Sequence, residues 1–247
     1  MKLFAIGDLH LSHSSNKPMS IFGPNWDNHA ERIAAAWRER VSDEDAVLIP
    51  GDISWAMQLD EARLDIEYIA ALPGKKVIMR GNHDYWWGSI SKVRDMLPCC
   101  MYALQNDTVE LGSVTIAGSR GWICPGSSGF DPETDQKIYD REVIRLQLSL
   151  SGAKQGSRII VMLHYPPFNE KRAPSGFTEM FEKYGVERVI YGHLHGKACR
   201  NAFEGIRNGI EYTLCSADHL DFLHIYINSL HHPLSRDEVL ISQFLMS

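Results

Sequence analysis

Five short apolar runs, each broken off by a polar turn, constrain this chain more than any other feature. Leu3 to Ile6 leads into Gly7-Asp8-Leu9-His10, Ala46 to Ile49 into Pro50-Gly51-Asp52, and Val77 to Met79 into Arg80-Gly81-Asn82-His83-Asp84. Ile159 to Leu163 leads into His164-Tyr165-Pro166-Pro167, and Arg188 to Tyr191 into Gly192-His193-Leu194-His195-Gly196. Runs this short and continuous lack the alternation of a half-solvated strand, so they read as strands buried on both faces. Helical patterns lie between and beside them. Asp27 to Arg40 carries Ile33, Ala34 and Trp37 on one stripe, and Leu59 to Leu72 is stopped by Pro73-Gly74. Trp86 to Leu97 ends at Pro98, Asp135 to Leu150 ends before Gly152, and Gly176 to Tyr184 ends at Gly185. Strands alternating with helices predict βαβ units and a largely parallel sheet in an α/β fold. Towards the C-terminus, Ile210 to Cys215, Phe222 to Ile227 and Val239 to Met246 read as further strands, enough for a second sheet packed on the first.

Composition narrows the classes of function. The 247 residues are 44% hydrophobic and 23% charged, the balance of an ordinary globular protein, and suit a single domain over 1–247. No apolar run approaches the ~20 residues that span a bilayer, so no membrane partner is expected. The formal charge of -6 with 25 Lys and Arg disfavours stable nucleic-acid binding, which lives on a basic excess. Small anionic substrates stay open, because a bound metal can reverse the sign locally. Five cysteines without C-x-x-C spacing fit reduced thiols and a cytoplasmic location. Nothing in the sequence sets an oligomeric state. Two segments, Leu11 to Asn28 and the Gly-, Ser- and Pro-rich Gly118 to Glu133, read as long surface loops.

In open α/β sheets, ligands bind beyond the carboxyl ends of the strands. Every polar turn named above sits at such an end, so Asp8, His10, Asp52, Asn82, His83, Asp84, His164, His193 and His195 are expected on one rim. Imidazole and carboxylate suit Mn, Fe, Zn, Co or Ni, and the lack of paired thiolates argues against an iron–sulfur or cysteine-type zinc site. These are too many ligands for one tetrahedral ion and about the right number for two ions of higher coordination sharing a carboxylate. Two ions about 3.5–4 Å apart clamp the attacking and leaving oxygens of an in-line phosphoryl displacement. With Asp8, Asp52 and a bridging hydroxide, two divalent ions leave a net charge of about +1, which attracts a phosphate ester.

The blocks Asp8-Leu9-His10, Gly51-Asp52, Gly81-Asn82-His83-Asp84, His164 and Gly192-His193-Leu194-His195 resemble the five-block signature of the calcineurin-like metallophosphoesterases, in that family's order. The resemblance implies a four-layer αββα sandwich, two mixed sheets between helical layers. It implies one metal held by Asp8, His10, Asp52 and His195 and another by Asp52, Asn82, His164 and His193, with Asp52 bridging. The ions would be Mn or Fe first, with Zn, Ni or Co as alternatives. It also implies attack by a metal-bridging hydroxide. His83 would assist the leaving group or stabilise the phosphoryl oxygen, Asp84 would orient it, and Asn82 and His83 would contact the substrate. An alkoxide leaving group needs such a general acid. One departure is that Gly51-Asp52 is followed by Ile53-Ser54-Trp55, without the further acidic or histidine residue that many relatives carry.

The expectation is therefore a dinuclear phosphohydrolase acting on a small phosphoester, with diesters somewhat preferred because no large cap is inserted. A nuclease, a protein phosphatase and a non-catalytic metal-binding module are the rivals. Outside the blocks, Trp26, Tyr85, Trp86, Trp87 and Trp122 read as packing more than as a base-stacking platform. Arg80 and Arg120 read as surface salt-bridging groups, Lys171-Arg172 as a solvated loop, and His231-His232 as no ligand pair.

Overall fold

In the computed structural model, which describes residues 1–15 and 17–229, the apolar runs become strands and the stripes between them become helices. In chain order these are β1 (Lys2–Ala5), α1 (His29–Arg40), β2 (Ala46–Ile49), α2 (Leu59–Ala70), β3 (Lys75–Ile78), α3 (Ile90–Met96), β4 (Met101–Ala103), β5 (Val109–Leu111), β6 (Val114–Ser119) and α4 (Gln136–Ser151). There follow β7 (Arg158–Leu163), α5 (Gly176–Tyr184), β8 (Arg188–Tyr191), β9 (Gly205–Arg207), β10 (Ile210–Leu214) and β11 (Ile225–Ser229). One sheet has the order β11-β1-β2-β3-β4, the other β5-β6-β7-β8-β10-β9. The inner strands of both run parallel, and β11, β5 and β9 are antiparallel edge strands.

Strand alternation sorts the apolar side chains into three cores. Leu3, Ala5, Ala46, Leu48 and Val77 face Val114, Ile116, Ile160, Met162 and Ile190 across the two sheets. The opposite faces, Phe4, Val47, Ile49 and Ile78, take Ile33 and Trp37 of α1 and Ile66 and Ile69 of α2. On the far side, Val161, Leu163, Val189 and Tyr191 take Leu146 and Leu150 of α4 and Phe177 and Phe181 of α5. The order is helix, sheet, sheet, helix, which is the four-layer sandwich. Each of these side chains contributes about 1.5–3 kcal/mol on full burial, so loss of one layer would unmake the stack.

Several expected boundaries move for local reasons. The helix expected from Trp86 starts at Ile90, because Trp86 and Trp87 turn their indoles inward, to Asp84 at 3.0 Å and Gln105 at 3.1 Å. The C-terminal strands do not form the second sheet alone. Instead β10 joins β8 in that sheet, while β11 closes the edge of the first beside β1. Phe222 packs in the core ahead of β11. Val239 to Met246 and His231-His232 lie outside the described residues. Among the described residues no helix is long and apolar enough to cross a membrane, and all five cysteines are free thiols.

Candidate metal centre

The carboxyl ends of the parallel strands in both sheets meet at one rim. The two sheets are stitched there by Gly7 N–H to the Cys215 carbonyl at 2.6 Å and Ala217 N–H to the Gly7 carbonyl at 3.0 Å. The turns leaving β1, β2 and β8 are sharp. Asp8 (φ 56°), His10 (φ 46°), Asp52 (φ 51°) and His193 (φ 74°) all adopt the left-handed conformation. That conformation costs a non-glycine residue on the order of 1–2 kcal/mol. Four such residues on one rim mark a place where the chain aims side chains at the expense of comfort. The turns brace one another, with Asp8 N–H to Gly51 O and His10 N–H to Asp52 O, both 3.0 Å.

Two glycines are demanded by close approach. A Cβ at Gly81 would run into the carboxylate and backbone nitrogen of Asp52, and one at Gly192 into the Asp8 carboxylate. The carboxylates that these glycines make room for are held from behind. His83 N–H donates to Asp52 Oδ1 at 2.8 Å, and His193 N–H reaches both oxygens of Asp8 at 3.0 and 3.1 Å.

All seven expected ligands converge. His10 Nε2 lies 3.3 Å from His195 Nε2, and His195 Nε2 lies 3.8 Å from Asp8 Oδ1. Asn82 Oδ1 lies 2.6 Å from His164 Nε2 and 2.8 Å from His193 Nδ1, while those two ring nitrogens are 3.3 Å apart. Asp52 Oδ2 stands between the two groups, 3.8 Å from His10 Nε2 and 3.5 Å from His164 Nε2. Asp8, His10 and His195 offer ligand atoms all within 4.8 Å of one another, and so do Asp8, Asp52 and His164.

The donor chemistry fits metal cations. His164 Nδ1 is 3.0 Å from the Pro50 carbonyl, which can only accept, so that nitrogen carries the proton. His164 Nε2 therefore presents a lone pair to Asn82 Oδ1, another lone pair, at 2.6 Å. Two acceptors held this close repel each other, and a cation to one side, bound by both, would relieve that repulsion. Protonation follows the same logic. Burial, aided by neighbouring histidines, holds His164 down at about 3 and His193 at about 2, and lowers His10 as well. These three are neutral imidazoles at pH 7. Burial raises Asp8 to about 7, with the charge of Asp52 adding to it, and burial also raises Asp52. Burial opposes the charge on His195, but its bond to Asp218 and the nearby Asp8 carry it up to about 8.

Asp218 is the site residue that sequence reading missed. Its Oδ1 is 2.8 Å from His195 Nδ1, and its Oδ2 accepts Gly196 N–H at 2.9 Å, so it fixes the tautomer that turns Nε2 toward the centre. The available signal was the rule used for the other turns, since Ser216-Ala217-Asp218 follows a strand directly.

Asp84 differs from expectation. It does not orient the His83 imidazole. Its buried carboxylate accepts Gly81 N–H at 2.8 Å, Ile53 N–H at 2.9 Å, Ser54 N–H at 3.2 Å and the Trp86 indole N–H at 3.0 Å. It thereby clamps the β2 turn to the β3 turn. The His83 ring packs instead on Trp55, with centroids 4.6 Å apart, and its Nδ1 has no hydrogen-bond partner. Trp26, Trp86 and Trp87 are core residues, as packing predicted. Trp26 also sets its ring edge-on to His10 and His195, so it walls the centre. Tyr85 is exposed.

Comparison with known proteins agrees with this geometry. The family model described as calcineurin-like phosphoesterase matches residues 1–197. Gene 66 protein of Mycobacterium phage D29 is 24% identical over 234 residues, covering 94% of this chain and 90% of that protein. The phosphopantetheinyl hydrolase of Mycobacterium tuberculosis superposes with a TM-score of 0.59 at 13% identity, over 94% of this chain and 98% of that one. A protein of unknown function from Aquifex aeolicus superposes at 0.50 with 18% identity, over 98% of both chains. At these identities the solved structures speak for the fold.

Proposed function

The chain belongs to the calcineurin-like phosphoesterase family, and from that premise we propose that it is a dinuclear metal-dependent phosphohydrolase that prefers phosphodiesters to monoesters. The observation that carries this reading is the facing pair of lone pairs on His164 and Asn82, with the Asp52 carboxylate shared between two ligand groups. One ion would be held by Asp8, His10, Asp52 and His195, and the other by Asp52, Asn82, His164 and His193. Mn or Fe suits this donor set first, and Zn, Ni or Co second. When bound, the pair supplies Lewis acidity toward the phosphoryl group and readies a water for attack.

The protein's own groups do the rest. Asp218 holds His195 in one tautomer. Asp84 keeps the turns carrying Asp52 and Asn82 in register, so the shared carboxylate stays centred. His83 stands beside the centre against Trp55 and delivers the proton that the departing oxygen needs. Among the described residues no hydrogen bond ties its Nδ1 to another group. The ester's alcohol would lie in the groove of about 150 Å³ beside His193, walled by Tyr165, Phe168, Cys124 and Leu194. Among the described residues no inserted cap covers the rim, which suits a diester with two substituents. We take residues 1–247 as one such domain, acting on a small phosphoester in the cytoplasm.

The test is a paired assay of Mn²⁺-reloaded protein on bis(p-nitrophenyl) phosphate and p-nitrophenyl phosphate, with Asp52→Asn as control. Metal-dependent turnover, faster on the diester and lost in the control, is expected. Faster turnover of the monoester would overturn the diester preference. A loaded wild type inert on both would leave a metal-binding module without hydrolysis.

A further inference from the structure

A second cavity, of about 210 Å³, opens where β3 and β6 end, in the seam between the sheets. Three guanidinium groups line it: Arg80, two residues after β3, Arg120, directly after β6, and Arg145 on α4. Among the described residues the only carboxylate in its wall is Glu142. Glu142 Oε1 binds Arg145 at 2.7 Å and lies 3.8 Å from Arg120. Arg80 has no carboxylate within ion-pairing distance among the described residues, and its Nε and that of Arg120 are buried with no acceptor. The pocket thus carries a charge of about +2 inside a protein of net charge -6. Burial and the two other arginines depress the Arg120 guanidinium, which Glu142 opposes. Arg120 keeps the kind of ion pair that the sequence suggested, with Glu142 inside the pocket wall, while Arg80 makes none among the described residues. Like charges gathered around a concavity, with donors aimed at nothing, form a receptor for an anion.

The pocket is next to the metal centre. Arg80 and Asn82 are two residues apart, so their Cα atoms are separated by no more than about 7 Å. The Arg120 carbonyl accepts His164 N–H at 3.1 Å and Tyr165 N–H at 3.0 Å, tying one wall of the pocket to a ligand turn. The Arg120 guanidinium also stacks over Trp122 at 4.6 Å, which fixes its plane. Building on the phosphohydrolase reading above, we propose that Arg80, Arg120 and Arg145 bind a second phosphate of the substrate. The preferred substrate is then a phosphoester that carries another, non-reacting phosphate group on its alcohol portion. The planar fork of arginine matches two phosphate oxygens at once, and the polar walls from Gln105, Asn106 and Ser119 can take the rest.

The experiment compares two esters on Mn²⁺-loaded full-length protein: thymidine 5′-(p-nitrophenyl phosphate), and the same ester bearing a 3′-phosphate. The wild type is expected to favour the 3′-phosphorylated ester by about tenfold or more in kcat/KM, mainly through KM, as charge-assisted contacts of this kind allow. In Arg80→Gln and Arg145→Gln, made separately so that either one that folds is informative, the ratio should fall toward one. A wild-type ratio near one, or a ratio unchanged in both variants, overturns the subsite and leaves hydrolysis standing. No turnover of either ester overturns the hydrolase reading, and the subsite with it. Pyrophosphate titration by calorimetry into the metal-stripped full-length protein separates sources of the phosphate. Binding that is lost in Arg80→Gln while the two esters react equally would assign the pocket to a free anion and overturn the substrate role.

Discussion

The two sheets bring unlike chemistry to one rim. Turns leaving β1, β2 and β3 supply every oxygen donor of the proposed ligand set, Asp8, Asp52 and Asn82, together with His10. Turns leaving β7 and β8 supply imidazoles only, His164, His193 and His195. Burial acts on the two sets in opposite senses, lifting Asp8 to about 7 and pressing His164 and His193 to about 3 and 2. Asp8, His164 and His193 therefore drift toward neutrality when no cation is present, while the bond to Asp218 keeps His195 charged. Bound cations would restore the carboxylate charges that burial opposes. Neither sheet holds a complete ligand set. The centre exists because the seam between the sheets does.

The sharpest way to break this division is at the residue shared across it. Asp52→Asn removes a carboxylate placed between the two ligand groups, 3.8 Å from His10 and 3.5 Å from His164. Turnover of an aryl diester should fall by about 10³-fold or more, with metal content reduced by elemental analysis. His83→Ala should cost about 10²–10⁴-fold in kcat while leaving bound metal unchanged, since His83 acts on the proton and not on the ions. Loss of metal in that variant would make His83 a ligand and redraw the oxygen-rich half. On the imidazole side, Asp218→Asn should weaken metal affinity by about 10–100-fold in a chelator competition, as expected for a group that only orients a ligand.

Titration offers a gentler test. Asp8 and His195 have folded pKa values raised to about 7 and about 8. Each contributes stability that is complete below its unfolded value and disappears as pH rises through the folded one. Metal-stripped protein should therefore melt lower at pH 8.5 than at pH 6.5, by about 3 °C or more. Loaded protein, whose ligands are already deprotonated, should show a smaller slope, the part left being that of Asp84 and His219, raised to about 7 and about 10. An equal slope in both would show that Asp8 and His195 are not bound to metal. The smallest chemical effect is expected from Asp84→Asn. It should destabilise the fold by about 1–3 kcal/mol in urea, by leaving a buried donor unmet. The pH profile of turnover should stay as in the wild type, because Asp84 does not touch the His83 ring.

The legible parts were those where local pattern and tertiary role coincide. Strands such as Ala46–Ile49 and Arg188–Tyr191, and the helix Gly176–Tyr184, are bounded as their apolar runs and breakers dictate. The rim ligands were legible because each follows such a strand directly. The short strands Met101–Ala103 and Val109–Leu111 were not, since three residues leave no period to read. Their pairing is set by the neighbours that extend them. Asp218 was hidden for a related reason: a lone aspartate in a turn has no meaning until His195 is set 2.8 Å away.

Taken by itself, the sequence determined the layered α/β architecture and the set of side chains carried to the strand ends, because burial on both faces and the turn after it are written in consecutive residues. Only the tertiary structure decided what those side chains do to one another. It turned Asp84 into a clamp between two turns and recruited Asp218 behind His195. It also gathered Arg80, Arg120 and Arg145 from three separate elements around one cavity. Distance between residues far apart in the chain is a property of how the sheets pack, and electrostatic coupling depends on that distance.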